Sequence, residues 1–184
     1  MNATGTIEPT KNGFLLRFER TLDHPVQTVW DALTREHGEW LSGEGAEMDL
    51  RVGGRVWMPA HTVESTIVEL DPPRVLAFGW DSAEWGPGGT VRFELVPDGD
   101  RTHLLFTHDH PPIDQAQQDE FARRMGWPDE MKRAVPRTLA GWHALLDRLE
   151  RLLGGRANNA MPTPEEPGND WQPLFEHYLA TVRE

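Results

Sequence analysis

RTLAGWHALLDRLERLL, residues Arg137 to Leu153, places Leu139, Trp142, Leu145, Leu146, Leu149, Leu152 and Leu153 at steps of three and four. That spacing gathers them on one stripe of a helix, with Arg148, Glu150 and Arg151 off it. From Pro136 to Leu153 such a helix is roughly 27 Å long at about 1.5 Å per residue. An apolar stripe of that length needs an equally long surface to cover it. The strand-like segments upstream can supply one as a curved sheet. The expectation is an α+β fold in which a sheet wraps round this helix and leaves space between them for a ligand.

Upstream, residues 1–12 are polar and expected to be loose. Residues 13–22 alternate as a strand should, with Phe14, Leu16 and Phe18 on one face. In LDHPVQTVWDALT, Asp23 or His24 can cap a helix and Pro25 suits its first turn, while Val26, Val29, Trp30 and Leu33 follow a helical period. A second helical turn is expected over Glu36 to Leu41. Gly53-Gly54 between extended segments reads as a tight hairpin, since both glycines accept positive φ. Strands follow at 62–70, 75–80, 90–96 and 101–109, joined by DPPR, the loop DSAEWGPGG and PDGD. About seven short strands with tight connections imply an antiparallel sheet. Asp114 to Met125 has helical composition, and the long helix is expected to start near Asp129, with Pro136 either kinking it or sitting in its first turn. Residues 13–155 therefore form one domain. Residues 156–168 read as a linker. Residues 169–184 form a short amphipathic helix, with Asn169 or Asp170 as cap, that must dock on its own domain or on a partner subunit as a homodimer.

Composition narrows the function. A net charge of −12 argues against nucleic acid and against anionic membrane surfaces. The absence of cysteine excludes disulfides and thiol chemistry. No apolar run reaches membrane-spanning length and no signal peptide is evident, which favours the cytoplasm. Eight Trp against one Tyr fits large core fillers or an aromatic-lined cavity.

The ordered set VWDALT, DLRVGG, VELDPPRVLAFGW, VRFELVPDGDRTHLLFTH and GWHALLDRLERLL resembles the START-like, or SRPBCC, superfamily. Within it the chain is similar to the AHSA-type branch, named for homology to the activator of the heat-shock-protein-90 ATPase. The resemblance spans about Gly13 to Gly155. It implies a helix-grip, Bet v-like fold: a curved antiparallel sheet, two short helices after the first strand, and the long helix across the concave face. It also implies an internal cavity for apolar small molecules, and some superfamily members are enzymes. A glycine common in the family two residues before the isoleucine appears here as Ser65. The connection from Pro111 to Pro128 looks longer than usual.

Strand parity supplies a list of inward residues. If Val91, Phe93 and Leu95 face the helix, so do Leu76, Phe78 and Trp80, then Thr102, Leu104, Phe106 and His108, and on the remaining strand His61, Val63, Ser65, Ile67 and Glu69. The candidate ligand-binding set is His61, Ser65, Ile67, Phe78, Trp80, Phe93, Phe106, His108 and Trp142; each also reads as plain core. His108 is the leading polar residue, as a hydrogen-bonding group or a general acid and base. Its alternative is a solvent-exposed histidine at a strand end. His108 and His110 share a face as a metal pair would, but no third ligand is visible, so no metal or cofactor is expected. Trp40, Trp57 and Trp85 fall near loops, where they could close a cavity mouth or fill the core. Three functions follow: a binding module for an apolar or aromatic small molecule, a cyclase- or hydrolase-like enzyme pairing His108 with His61, Glu69 or water, and a co-chaperone-like interaction module.

Overall fold

The computed structural model describes residues 4–84, 86–126, 129, 133–156 and 171–182. Eight strands form one antiparallel sheet: β1 (Thr6–Thr10), β2 (Gly13–Leu22), β3 (Glu47–Met48), β4 (Arg55–Met58), β5 (Val63–Asp71), β6 (Val75–Gly79), β7 (Thr90–Asp98) and β8 (Arg101–His110). Their order in space is β1-β2-β8-β7-β6-β5-β4-β3. Between β2 and β3 the chain makes helix α1 (Val26–Thr34) and one π-helical turn (Gly38–Ser42). After the sheet come α2 (Gln115–Met125), α3 (Ala134–Leu153) and α4 (Trp171–Thr181). The long helix thus begins at Ala134, with Pro136 in its first turn, where a missing N–H costs nothing. This is the helix-grip arrangement expected from the leucine stripe, with eight strands in place of about seven.

The additional strand is β1, and it lies in the stretch expected to be loose. It pairs with β2 from Thr6↔Arg17 to Thr10↔Gly13. Its sequence, TIEPT, carries one half-buried apolar residue, Ile7, and four exposed ones. An edge strand held mainly by backbone bonds leaves almost no hydrophobic pattern to read, and Pro9 is tolerated at such an edge.

The core forms where the two periodicities meet. Leu139, Trp142, Leu145, Leu146 and Leu149 of α3 are buried, as are the inward residues of β6, β7 and β8. On β5 the alternation breaks. A bulge between Ile67 and Glu69 inserts one residue, so Ile67 stays inside while Glu69 turns outward, opposite Ala77. There Glu69 pairs with Arg92 at 2.8 Å, which corrects its expected inward placement. Trp40 is wholly buried, its indole N–H donating to the Ala32 carbonyl at 3.0 Å, so it is a core residue. Trp57 is half-buried beneath the Arg55 guanidinium. Trp85, the caps Asn169 and Asp170 and the linker from 157 lie outside the described residues.

A second layer covers the other side of α3. Trp171, Phe175 and Tyr178 of α4 are buried, and α4 packs on α3 of its own chain. The apolar face offered as a basis for a homodimer through 169–184 is therefore already covered. His143, whose Nδ1 lies 2.8 Å from Tyr178 Oη, is buried at this second contact.

Candidate functional site

The middle of α3 lies over the ends of β6, β7 and β8, and the side chains meeting there are nearly all aromatic. The Trp142 ring stands 4.3 Å from Phe106 and 4.7 Å from Trp80, centroid to centroid. Phe106 stands 5.0 Å from Phe93, which stands 6.2 Å from Phe78. These five rings fill the space between helix and sheet at this level by edge-to-face and offset contacts. A depression of about 500 Å³ lies elsewhere, lined by Glu19, Thr21, Val96, His103, Leu105 and Glu150 among others, and not beneath Trp142.

One polar pair is set into the aromatic cluster. His108 is 1 % exposed, which answers the solvent-facing alternative. The Trp142 indole N–H donates to its Nδ1 at 2.9 Å. An indole only donates, so Nδ1 must be unprotonated and the hydrogen sits on Nε2, which donates to the Gly88 carbonyl. Burial first, then the charge of His110, pushes the His108 pKa down to about 3, against the smaller raising effect of the Gly88 carbonyl. The ring is neutral, fixed in one tautomer, and has both nitrogens engaged.

The neighbouring polar groups do not converge on it. His110 lies 5.1 Å from His108 ring to ring, stacks on Phe14 at 4.6 Å, and hydrogen-bonds the Pro111 carbonyl. Burial lowers its pKa, and Arg137 of α3 adds a positive charge on the same side. Among the described residues no group of three His, Asp or Glu could hold a metal ion. His61 sits in the 3₁₀ turn before β5 (Pro59–His61) rather than on the strand. Its Nε2 donates to the Leu41 carbonyl at 2.7 Å, and its ring lies 5.3 Å from Trp80. His61 and His108 thus approach Trp80 from different neighbours without bonding each other, and Glu69 is on the outer face. Ser65 is half-buried, and a Cβ placed on Gly79 would come within 2.0 Å of its Oγ. The glycine on β6 makes room for the serine on β5. Ile67, Phe78 and Phe93 are fully buried core beside them.

Sequence reasoning missed what ties the 81–89 loop down. Asp81 Oδ1 accepts from the Gly88 N–H at 3.0 Å, and the Gly88 carbonyl takes the His108 proton. Ser82, 7 % exposed, bonds Thr62 at 2.9 Å. It also missed Arg148, placed off the stripe but buried: its guanidinium donates to the carbonyls of Trp40 at 3.1 Å and Glu39 at 3.2 Å. Only the run of glycines at 86–89 signals the loop. Nothing in the sequence around Arg148 signals its partner.

No described helix is long and apolar enough to cross a membrane. Comparison with solved structures finds CalU16 from Micromonospora echinospora, 23 % identical with a TM-score of 0.66, covering 98 % of this chain and 96 % of that one. PFC0360w, described as an HSP90 activator from Plasmodium falciparum, is 20 % identical with a TM-score of 0.58, covering 76 % and 96 %. DynU16, described as a putative protein in the dynemicin biosynthetic locus, is 21 % identical with a TM-score of 0.59, covering 78 % and 48 %. At these identities the likeness is one of fold. No curated protein matches. A family model described as Activator of Hsp90 ATPase homolog 1-like protein matches residues 23–154, which run from α1 through β3–β8 and α2 to the end of α3. By that match over most of its length, the chain belongs to the Activator of Hsp90 ATPase homolog 1-like family, on the START-like helix-grip fold.

Proposed function

We propose that this chain binds a small apolar or aromatic molecule between its sheet and α3, with Trp80, Phe106 and Trp142 as walls and the His108–Trp142 pair at the polar end. The supporting observation is the aromatic cluster itself, closed around a single hydrogen-bonded pair. Because the rings touch one another, a ligand enters by parting Trp80 from Trp142. It then replaces ring-on-ring contact with ligand-on-ring contact of the same kind, and gains the burial of its own apolar surface. His108, with both nitrogens engaged, serves to hold Trp142 rather than to move protons, which favours binding over cyclase- or hydrolase-like chemistry. The test is native mass spectrometry of the purified protein together with a thermal-shift panel of polycyclic aromatic compounds. A retained small molecule, or a raised Tm accompanied by quenched tryptophan fluorescence, is expected. A panel that leaves Tm and fluorescence unchanged, with no retained mass, rejects the reading.

A second reading, a co-chaperone-like module, draws on the family description and on one surface feature. Leu50, Val52 and Val68 are 41 %, 64 % and 52 % exposed, on the β3–β4 turn and the adjoining part of β5. In this reading that edge contacts a chaperone ATPase. Stimulation of an Hsp90-type ATPase by the chain, lost on Val52→Glu, supports it; an unchanged ATPase rate removes it.

A further inference from the structure

Two parts of the chain outside the family-matched segment 23–154 meet on α3. Tyr178 of α4 is 1 % exposed, and its Oη accepts from the Gly5 N–H, just ahead of β1, at 2.8 Å. The same Oη lies 2.8 Å from Nδ1 of His143 on α3, which is also 1 % exposed. The far nitrogen of His143 is 3.7 Å from Asp147 Oδ1. Just beyond Tyr178, at the C-terminal end of α4, Arg133 donates to the carbonyls of Leu179 at 3.3 Å and Val182 at 3.1 Å. The terminal helix is thus clamped at two points, and one of them also clamps the start of the chain.

We propose that His143 is a proton-operated latch: when neutral it locks α4 and the segment leading into β1 onto α3, and when protonated it releases both. The hydrogen count supplies the mechanism. Oη accepts from Gly5 on one lone pair; with the neutral imidazole's hydrogen on Nε2, facing Asp147, Oη is left to donate its own hydrogen to Nδ1. A second ring proton would go on Nδ1, where it points at a group already donating. Tyr178 must then turn its hydrogen away from His143 within a buried space, or part from it.

The groups facing His143 are Phe18 and Arg20 from β2, Asp147 from α3, and His177 and Tyr178 from α4. Burial disfavours the imidazolium most; Asp147 favours it, while Arg20 and His177 oppose it. Asp147 is also shared with Arg20, at 3.7 Å, which weakens its pull on the ring. Released His143 therefore binds a proton more readily than docked His143. Docking is complete above the ordinary imidazole range, near pH 6.5, and weakens as pH falls through it. At eleven residues α4 is too short to persist alone, so release also unwinds it.

Hydrogen exchange on the full chain at pH 7.5 and 5.5, corrected for intrinsic rates, tests the latch. In the wild type, protection of 172–182 and of 5–10 should fall together by up to about tenfold at pH 5.5, the limit for one imidazole, while β7 and β8 keep theirs. His143→Gln can still accept from Tyr178 but does not titrate, so both segments should stay protected at both pH values. Tyr178→Phe should loosen both at pH 7.5 and blunt the response to acid. Unchanged wild-type protection, or a loss at 5–10 uncoupled from 172–182, overturns the proposal. So does a full acid response in Tyr178→Phe or in a folded His143→Gln.

Discussion

The indole N–H of Trp142 on α3 donates to Nδ1 of His108 on β8 across 2.9 Å, inside a cluster where both residues are at most 3 % exposed. This bond crosses between helix and sheet, and it makes the aromatic cluster sensitive to the donor as well as to the ring. Trp142→Phe keeps an aromatic body but leaves the buried Nδ1 unsatisfied, a loss of about 1–3 kcal/mol. Trp142→Ala also opens a cavity, and should cost about 3–5 kcal/mol. Urea unfolding of both variants checks the order. Equal losses, or a loss under about 1 kcal/mol for Trp142→Ala, would show that the ring is not seated under the sheet.

His108 also sets a pH dependence. Its pKa is pushed down from the ordinary 6.5 to about 3 by burial, so the unfolded chain binds the proton more readily than the native one. The stability that the neutral ring supplies is complete above pH 6.5. It is lost as pH falls from there toward 3, at up to about 1.4 kcal/mol per pH unit. His61, His110 and His143 are shifted in the same direction, so the total acid sensitivity is larger than the share of His108. Unfolding free energies at pH 7.5, 6 and 5 for wild type and His108→Asn isolate that share: the variant should show a slope shallower by up to one proton. Parallel slopes would mean that His108 does not stay neutral in the fold.

Arg148 fastens α3 to the π-helical turn by donating to the Trp40 and Glu39 carbonyls. Those carbonyls stand at a turn that cannot satisfy them within a regular helix. Arg148→Met preserves the apolar stem but strands them, and should destabilise by about 1–3 kcal/mol. Arg148→Lys should recover little, because one ammonium cannot present the two directed donors of a guanidinium. The thermal midpoints of the two variants decide it: full recovery by lysine would reduce the contact to charge alone.

How far the sequence carried can be seen residue by residue. The α3 stripe and the inward faces of β6, β7 and β8 were legible because one side of each element is buried, and burial on one side writes a period into the sequence. His108 was legible as inward for the same reason. Its tautomer was not, because that depends on Trp142 34 positions away and on a carbonyl. Glu69 was misplaced because a bulge shifts the phase by one without changing residue types. His143 and Arg148 were unreadable for a third reason: α3 is covered on more than one side, and contacts with α4 and the π-helical turn leave no period of their own. β1 failed because backbone pairing alone leaves no apolar pattern.

The β3–β4 turn gives a prediction in which two adjacent glycines differ. Both can accept positive φ, but only Gly53 uses it, at 77°, and a side chain there would meet open space. Gly54 is needed for closeness instead: a Cβ on it would lie 2.0 Å from the Asp49 carbonyl and 2.8 Å from that of Arg51. Both carbonyls are already engaged, by the N–H groups of Arg51 at 2.7 Å and Gly54 at 2.8 Å. Gly53→Ala should therefore cost about 1–2 kcal/mol of backbone strain, and Gly53→Asn less, since asparagine tolerates that conformation. Gly54→Ala should cost more than either, because backbone has to move. The turn is bolted to β5 by Gly53 N–H to Ile67 O at 2.8 Å and Ile67 N–H to Gly54 O at 3.0 Å, beside the bulge that sends Glu69 outward. Shifting Gly54 should then loosen β5 as well, read as faster amide exchange at Ile67 in Gly54→Ala but not in Gly53→Asn. Equal exchange in the two variants would show that the turn and the bulge are independent.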